Sequence, residues 1–585
     1  MQHDGFRERS KHRLVILGPR GDDMAYLSVP SDRFHTLNAL SLDVFDANGK
    51  KVYTRKQSDW ERACGFGPSF SLYSDVCWRY LRADGPGYPY TIEWEAEWHS
   101  NSLFFWNEAA FQQDVPVVRA VYELKCPASF KFQHKSYGLD LQPIVRTDGD
   151  KQIYLWEAGD ISARALQGDD LLTPEHEDYA RIDFAPESFS LDGYKCNEMS
   201  WDAIAAWYRE LAADRYLTPG TNVVLAPLGD AWRATAAECY KRVVDRVRYV
   251  SISIGVGGWQ PHAASETENR AYGDCKDLST LLISYLRQAG ITAYPVLIMT
   301  RDAGWTDPSF PTSTFNHVIT VAVESSDTLW MDPTCEQCSC GDIPDSDEDT
   351  HVLVVTDDSG VLVKTPASWP EENSLRRTSR VHVSSGGIPT LNSRWEASGN
   401  AGVELSYSLL RNDPEERTEF FKNQLTRAVR HWSVDMTEKK PQLDSSGRMC
   451  LNLVGKTNQP LIQLDKDRVL SLFCFDMTLP QEALVVSERT LPLDLGYPSE
   501  TIDSVIVTWD RGLFLDTASL LPDSSRTTSF ASCALRTRIL GDSVVAVFHQ
   551  KITDYVLPPT AFGDFVDYCA SRKRLANTCL RLSAR

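Results

Sequence analysis

The residues best suited to nucleophilic chemistry are Cys275, His317 and Asp332, which occur in that order along the sequence. A cysteine thiolate attacks carbonyl carbons when a base takes its proton and a third group orients that base. Histidine supplies such a base near neutral pH, and a carboxylate holds its imidazole in one tautomer. These three side chains could therefore carry out acyl transfer, provided that the fold brings them together.

Cys275 begins a predicted helix. Asp274 is a favourable N-cap residue, and Asp277 stands at the third helical position, as in a capping box. Leucines then recur at the spacing of one buried helical face, and Gly290 follows where a helix commonly ends. Unpaired N–H groups and the helix dipole favour an anion in the first turn, so we expect a thiolate to be stabilised there.

Two predicted strands place the other two residues. His317 opens the apolar segment 317–323, and Asp332 follows the segment 328–331 after a short polar turn. Neighbouring antiparallel strands would set the imidazole beside the carboxylate, with the start of the helix packed across them. The pattern therefore predicts a Cys-His-Asp triad. Taken singly, each residue also has a purely structural interpretation. Cys275 could be a small buried residue, His317 an edge residue of a strand and Asp332 a turn residue.

Three motifs resemble the transglutaminase-like branch of the papain superfamily: Gly-Asp-Cys-Lys-Asp at 273–277, Phe-Asn-His at 315–317 and Trp-Met-Asp-Pro-Thr at 330–334. The chain also resembles bacterial proteins that place such a core between an N-terminal β domain of unknown function and a C-terminal β domain. The resemblance implies a nucleophilic cysteine, a histidine that acts as base and acid, and an aspartate that orients it. It further implies that Gln260 donates a hydrogen bond to the oxyanion.

The hydrophobic patterns predict three domains. Residues 1–190 contain alternating strands and a hairpin turn at Asn48-Gly49, which indicates an N-terminal β-sandwich-like domain of unknown function. Residues 195–370 combine helices and strands and contain the transglutaminase-like cysteine core. Residues 378–585 form a β-rich C-terminal domain. The expected fold class is a multidomain α+β protein, with a central papain/transglutaminase-like α+β core flanked by two mainly antiparallel β domains.

Two helices are expected in the C-terminal domain. One begins at Asp413 as its N-cap, and the other begins near residue 560. The preceding stretch 395–410 is rich in strand-forming residues, and Gly399-Asn400 within it predicts a turn between two strands. Within the N-terminal domain, we find no titratable cluster that indicates catalysis.

Composition excludes several classes of partner. A chain of 585 residues is too long for one core, and its formal net charge of −20 argues against nucleic acid and anionic membranes as partners. No apolar run approaches the roughly 20 residues that span a bilayer. Most of the cysteines, for example Cys64 and Cys77, are scattered singly, unlike the cysteines of a disulfide-rich protein. We expect no cofactor, and the oligomeric state stays open.

Two locations follow from different signals. The basic N-terminus is not followed by an apolar stretch of signal-peptide length, which taken literally predicts a cytoplasmic protein. The family resemblance instead implies an extracytoplasmic, periplasmic protein whose sequence here starts after a lost signal. Both interpretations remain open at this stage.

Candidates for the substrate cleft are Trp259 upstream of the cysteine and Trp305 and Phe310 in the loop 301–314. This loop lies between a predicted core strand and His317, so it could form a lid or a wall of the cleft. An ordinary surface loop is the alternative.

A second group of interest is Cys335, Cys338 and Cys340. The Cys-x-x-Cys spacing is typical of zinc sites and of local disulfides. A structural zinc ion takes four ligands, and only three cysteines are local, with His351 as a candidate fourth. We therefore favour thiols without a metal, or one disulfide, over a metal-dependent hydrolase.

The chemistry expected of the triad passes through a thioester. Release of that thioester by water would make a protease or amidase acting on peptide or isopeptide amides of a peptide or protein substrate. Release by an amine would make a protein-crosslinking acyltransferase with the same triad. We favour hydrolysis because water needs no dedicated pocket. A catalytically silent binding or scaffold protein, which uses its β domains, is the third hypothesis.

Overall fold

The structure is a computed structural model, which describes residues 5–65, 71–164, 179–216, 232–410, 415–416, 419–420, 423, 433–436, 442–443, 448–457, 459–475, 489 and 492–584. The chain divides into two compact units. The first comprises residues 1–165, 176–336 and 350–365, and the second comprises residues 166–175, 337–349 and 366–585. Both units are rich in β-sheet, as the sequence predicted for a multidomain protein.

The N-terminal part of the first unit consists of small antiparallel sheets. Their orders are β1-β8-β3-β4, β2-β7-β5, β10-β13-β12, β11-β14-β9 and β15-β16. The strands are β1 (Phe6–Ile16), β2 (Tyr26–Ser31), β3 (His35–Phe45), β4 (Lys51–Lys56), β5 (Glu61–Cys64), β6 (Ser71–Ser74), β7 (Cys77–Arg82), β8 (Tyr90–Ser100), β9 (Glu108–Ala110), β10 (Val117–Pro127), β11 (Phe132–Tyr137), β12 (Ile144–Asp148), β13 (Lys151–Ile161), β14 (Arg181–Pro186), β15 (Phe189–Leu191) and β16 (Tyr194–Cys196). The predicted hairpin is confirmed: β3 pairs with β4, and Gly49 takes a φ of +77° in the turn.

A disulfide joins Cys64 to Cys77, which corrects the interpretation of these two as single cysteines. Cys64 ends β5 and Cys77 begins β7, and the two residues lie opposite each other in the antiparallel ladder. Their proximity is set by the register of two strands. The sequence spacing alone does not reveal that register, because two isolated cysteines carry no pairing signal.

The second part of the first unit combines helices with a five-stranded antiparallel sheet, whose order is β22-β21-β20-β23-β24. The elements are α1 (Trp201–Ala212), α2 (Trp232–Arg246), β17 (Arg248–Tyr249), β18 (Ser251–Ser253), α3 (Ala264–Arg270), β19 (Tyr272–Gly273), α4 (Cys275–Gln288), β20 (Thr292–Ile298), β21 (His317–Glu324), β22 (Asp327–Met331), β23 (His351–Val355) and β24 (Gly360–Lys364). Helix α1 begins after the N-cap Ser200, as predicted, because the Ser200 side chain accepts a hydrogen bond from the backbone of Ala203.

Helix α4 is the central helix of this part. It packs against α2, α3, β20 and β21, and all of its residues from 276 to 286 are buried. The leucines Leu278, Leu281, Leu282 and Leu286 are at most 1% exposed. A helix buried around its whole circumference is held by core packing on every side. The position of its first residue, Cys275, is therefore fixed by the core.

The second unit is built around a nine-stranded sheet. Eight strands run in the order β27-β29-β26-β25-β33-β37-β36-β35, and β28 also pairs with β29. The strands of this unit are β25 (Ser374–Val383), β26 (Pro389–Ala397), β27 (Ser433–Met436), β28 (Gln442–Leu443), β29 (Met449–Lys456), β30 (Ile462–Leu464), β31 (Asp467–Ser471), β32 (Leu493–Asp494), β33 (Ser499–Trp509), β34 (Leu513–Leu515), β35 (Ser524–Thr527), β36 (Ala531–Ile539), β37 (Ser543–Ile552), β38 (Val556–Leu557) and β39 (Cys579–Ala584). Neighbours are antiparallel except β25 and β33, which are parallel.

Two longer helices accompany this sheet, α5 (Gly399–Leu410) and α6 (Phe562–Ala576). Helix α6 confirms the predicted last helix. The predicted strand-turn-strand at 395–410 is wrong after residue 397: the buried residues Gly402, Leu405, Ser406 and Leu409 recur at helical spacing. The helix predicted to begin at Asp413 falls largely outside the described residues.

None of the helices in the described ranges combines the length and the apolar character that crossing a membrane requires.

The burial of α4 predicts a large loss of stability for Leu281→Ala. Leu281 is 0% exposed, so its truncation leaves a cavity and should lower the free energy of unfolding by about 2–5 kcal/mol. Urea unfolding followed by tryptophan fluorescence measures the change. Leu17→Ala is the matched control, because Leu17 is 79% exposed and its truncation should change stability by less than about 0.5 kcal/mol. Equal losses in the two variants would contradict the burial of α4.

Candidate active site

The start of α4 is held by a capping box. The Asp274 carboxylate accepts a hydrogen bond from the backbone N–H of Asp277 at 3.3 Å, and the Asp277 carboxylate accepts one from the backbone N–H of Asp274 at 3.2 Å. Cys275, the first helical residue, is partly exposed, whereas the next eleven residues of the helix are buried. The cap therefore presents the thiol at the accessible end of a buried helix.

The charges beside Cys275 are buried and paired. Lys276, which is 3% exposed, donates a hydrogen bond to Asp274. Asp277, which is 1% exposed, accepts hydrogen bonds from the backbone N–H of His262 at 2.7 Å and lies 3.1 Å from its Nδ1. Burial by itself lowers the pKa of Lys276, but the two aspartates and Cys275 outweigh it and raise that pKa. Buried charges of this kind persist only in pairs, which makes the helix start rigid.

Strand β21 positions His317, which pairs with Ile298 of β20. The residue before it, Asn316, makes a reciprocal contact with Thr300. Its side-chain oxygen accepts a hydrogen bond from the Thr300 backbone at 3.0 Å, and its side-chain nitrogen donates to the Thr300 hydroxyl at 2.8 Å. This contact fixes the backbone at the first residue of the strand, and with it the direction of the imidazole.

Asp332 directly follows β22, which pairs with β21 in the antiparallel arrangement that the sequence predicted. Its side chain is 4% exposed, and its Oδ2 lies 3.2 Å from Nε2 of His317. Thr334 donates its backbone N–H to Asp332 Oδ1 at 2.9 Å and lies with its hydroxyl 2.8 Å from both carboxylate oxygens. The hydroxyl of Tyr240 lies 3.0 Å from the main-chain oxygen of Asp332. The carboxylate is thus oriented from several sides.

The electrostatics indicate a charged pair. Burial by itself lowers the pKa of His317, but Asp332 and Cys275 outweigh it and hold that pKa well above its ordinary 6.5. Burial raises the pKa of Asp332, whereas His317 and Thr334 lower it, and the result lies below its ordinary 3.8. Nε2 of His317 faces the Asp332 carboxylate, and Cys275 acts on the same imidazole electrostatically. The structure thus brings together the three residues predicted from the sequence, with Cys275 and Asp332 beside the imidazole of His317.

Gln260 does not fit the oxyanion role that the resemblance implied. Its side-chain nitrogen donates to the hydroxyl of Tyr194 at 2.8 Å and to the main-chain oxygen of Leu211 at 2.9 Å. A glutamine amide has two N–H donors, so neither is left for a substrate oxygen. A 3-10 helix at Gly255–Gly258 precedes Gln260. The side-chain amide of Gln260 is held against the end of α1 by its hydrogen bond to Leu211.

The three cleft candidates differ in their surroundings. Phe310 is 5% exposed within the hydrophobic core, so it is a core residue and not a wall of the cleft. The ring of Trp259 packs edge-on against Phe104 at 4.7 Å between centroids. Trp305 packs edge-on against Tyr137 at 6.0 Å, and its buried indole N–H has no hydrogen-bond partner among the described residues. Trp259 and Trp305 therefore remain as candidates.

The loop between β20 and β21 is tied down at its centre. Asp307 accepts hydrogen bonds from Lys135 and from the hydroxyl of Tyr137, the latter at 2.7 Å. The indole of Trp201 donates to the main-chain oxygen of Pro308 at 3.1 Å. The loop is thus anchored on β11 and α1. This anchoring does not distinguish a lid or wall of the cleft from an ordinary surface loop.

Cys335 and Cys338 are disulfide-bonded, which agrees with one of the two interpretations favoured from the sequence. Cys340 is a partly exposed residue two positions further on. Zinc is bound by cysteine thiolates, and a sulfur in a disulfide is not one. This group of cysteines therefore does not fit a zinc site, and the metal-dependent hydrolase loses the ligands on which it was based.

The His317–Asp332 pair predicts a shift in histidine titration. In the wild type we expect the imidazole of His317 to stay protonated above pH 6.5. In Asp332→Asn we expect it to titrate at a lower pH, because the negative charge that raises its pKa is lost. The stability that this charge contributes is therefore complete below about pH 6.5 and is lost as the pH rises through the raised pKa. NMR of histidine-labelled protein measures the titration, and the signal missing from His317→Gln identifies it. An unchanged titration in Asp332→Asn would contradict the pairing.

Comparisons with known proteins give one partial family match and one overall structural likeness. The family described as the domain of unknown function DUF3857 matches residues 5–165. A crystal structure from Parabacteroides distasonis, named "putative protease", is similar over 99% of this chain and 95% of its own, with a TM-score of 0.65 and 11% identity. At that identity the likeness shows a shared fold.

A second crystal structure, named "putative cysteine protease" and from Cytophaga hutchinsonii, covers 62% of this chain and 89% of its own, with 10% identity and a TM-score of 0.16. No curated protein matches the chain in sequence. The likeness that shows the fold is the one to the Parabacteroides protein, with its TM-score of 0.65.

Proposed function

We propose that the protein is a transglutaminase-like cysteine hydrolase that cleaves peptide or isopeptide amides through a thioester on Cys275. The observation that carries the proposal is the buried imidazole of His317: its Nε2 lies 3.2 Å from Asp332, and Cys275, the partly exposed first residue of α4, interacts with it electrostatically. This is the arrangement that nucleophilic catalysis by cysteine requires. The word protease in the name of the structure with the same fold agrees with it.

The reaction divides into two steps. The sulfur of Cys275 adds to the amide carbon, and the carbonyl electrons move to the oxygen. As the oxyanion collapses, the carbon–nitrogen bond breaks, and His317 gives its proton to the leaving amine. Water then adds to the thioester and yields its proton to His317, the carbon–sulfur bond breaks, and a carboxylic acid leaves. Asp332 holds the imidazole in one orientation and supports its charge in both steps.

The closest alternative is a protein-crosslinking acyltransferase, in which an amine instead of water releases the thioester. Both outcomes use the same three residues. Hydrolysis is the simpler assignment because water needs no binding pocket. A catalytically silent scaffold is the remaining alternative, but it leaves unexplained why a buried imidazole keeps an anion-forming partner on each side.

Replacement of the nucleophile tests the assignment. Cys275→Ala should stay folded, because residue 275 is partly exposed, and should lose cleavage of a casein substrate by a factor of about a thousand or more. Cleavage is measured by the release of new amine groups and by mass spectrometry of the products. Cys579→Ala removes an exposed thiol elsewhere and should leave activity unchanged. Equal activity of Cys275→Ala and the wild type would sink the assignment.

Competition between water and amine distinguishes the two enzymatic outcomes. Casein is incubated with the wild-type protein in heavy-oxygen water with a biotinylated primary alkylamine. We expect labelled oxygen in new carboxyl groups and little biotin on casein, because no dedicated amine site is assumed. Cys275→Ala, which should give neither product, is the control. Biotin as the main product would make the protein an acyltransferase while the role of Cys275 stands.

A further inference from the structure

A short parallel ladder lies directly before the nucleophile. Strands β17 and β19 are parallel, and Tyr249 is registered with Gly273. The backbone N–H of Val250 donates to the main-chain oxygen of Gly273 at 2.8 Å. Because Cys275 lies only two residues beyond Gly273, this pairing fixes Tyr249 beside the segment that leads into α4.

The phenol of Tyr249 interacts with the reacting groups. Its side chain is partly exposed, it interacts electrostatically with both Cys275 and His317, and the Ser251 side chain acts on its hydroxyl. Burial, and then the neighbouring Cys275, raise the pKa of Tyr249 to about 12. The phenol therefore keeps its proton throughout the neutral range, and it can donate that proton in a hydrogen bond.

The chemistry at Cys275 needs such a donor. Addition of the sulfur to a carbonyl puts negative charge on the oxygen, and fixed donors aimed at that oxygen supply much of the rate enhancement. The backbone N–H of Cys275 is one donor, because the first N–H groups of a helix have no partner within it. The amide of Gln260 is committed elsewhere, so a second donor must come from another residue.

We propose that the hydroxyl of Tyr249 donates a hydrogen bond to the oxyanion formed at Cys275, and that Tyr249 is a further catalytic residue of the site. This inference rests on the proposed function, since only acyl transfer creates that oxyanion. The hydrogen bond is made in the tetrahedral intermediate, and the role predicts that the hydroxyl accelerates acylation of the sulfur without changing the reactivity of the thiolate.

Two reagents separate these effects without knowledge of the natural substrate. p-Nitrophenyl acetate acylates the thiolate: a carbon–sulfur bond forms, a tetrahedral oxyanion collapses, and p-nitrophenolate leaves. Iodoacetamide alkylates the same thiolate by direct displacement of iodide, with no oxyanion. Both rates are read at Cys275 itself by mass spectrometry of the peptide that contains it.

In Tyr249→Phe we expect acylation to slow about tenfold or more and alkylation to change less than about twofold. Phenylalanine keeps the ring, so circular dichroism should be unchanged. Tyr272→Phe is the matched control, because Tyr272 is 39% exposed and lies next to Gly273 on the opposite face of the same ladder. Neither rate should change in that variant.

Ser251→Ala is the second variant, for the case that Tyr249→Phe fails to fold. It removes the side-chain hydroxyl that acts on the phenol and should slow acylation alone, by a smaller factor. Unchanged acylation, or equal slowing of both reactions in the folded variants, overturns the role of Tyr249. A wild-type protein in which Cys275 is acylated no faster than the exposed thiol of Cys579 refutes the proposed function itself, and the role of Tyr249 falls with it.

Discussion

A buried imidazole that carries charge needs a compensating negative partner, and the site of this protein is organised by that constraint. The side chain of His317 is only 14% exposed, so its desolvation by itself favours the neutral form. Asp332 and the sulfur of Cys275 reverse that preference. Loss of Asp332 would leave the buried charge without its main counter-charge, which costs several kcal/mol or forces the imidazole to lose its proton. The pairing of β21 with β22 and the contacts of Thr334 therefore both position the carboxylate of Asp332.

The same logic governs the start of α4. A lysine is unfavourable near the positive end of a helix dipole, yet Lys276 is buried there because Asp274 and Asp277 neutralise it. The capping box and the contact of Asp277 with His262 satisfy the remaining lone pairs. Since α4 is buried from residue 276 to residue 286, the thiol of Cys275 takes its position from core packing. Sites carried on rigid elements hold their geometry better than sites on loops.

The parts of this site that follow from the sequence are those encoded by local signals. The cap of α4, the apolar strand that begins at His317 and the turn at Asp332 each lie within a few residues of the side chain they position. Gln260 was misplaced because its partners, Tyr194 and Leu211, are 66 and 49 residues away.

Packing between distant segments explains the remaining misses. Phe310 lies in a polar loop of the sequence, but in the structure it packs in the core against strands and helices of other segments. Cys64 and Cys77 meet through strand register, and α5 was hidden because its buried residues are interspersed with strand-forming ones. Tyr249 was overlooked for the same reason, since its position depends on a two-residue ladder with a segment 24 residues later.

The N-terminal β region supports both segments that border the site. Lys135 and Tyr137 of β11 hold Asp307 in the loop that leads to His317. Strand β6 pairs in parallel with β18, which directly follows the segment that carries Tyr249. The region matched by the family of unknown function thus belongs to the same compact unit as Cys275, His317 and Asp332. Residues of β6 and β11 thus contact the segments next to Tyr249 and His317, so the compact unit extends beyond the helix and the sheet that hold Cys275, His317 and Asp332.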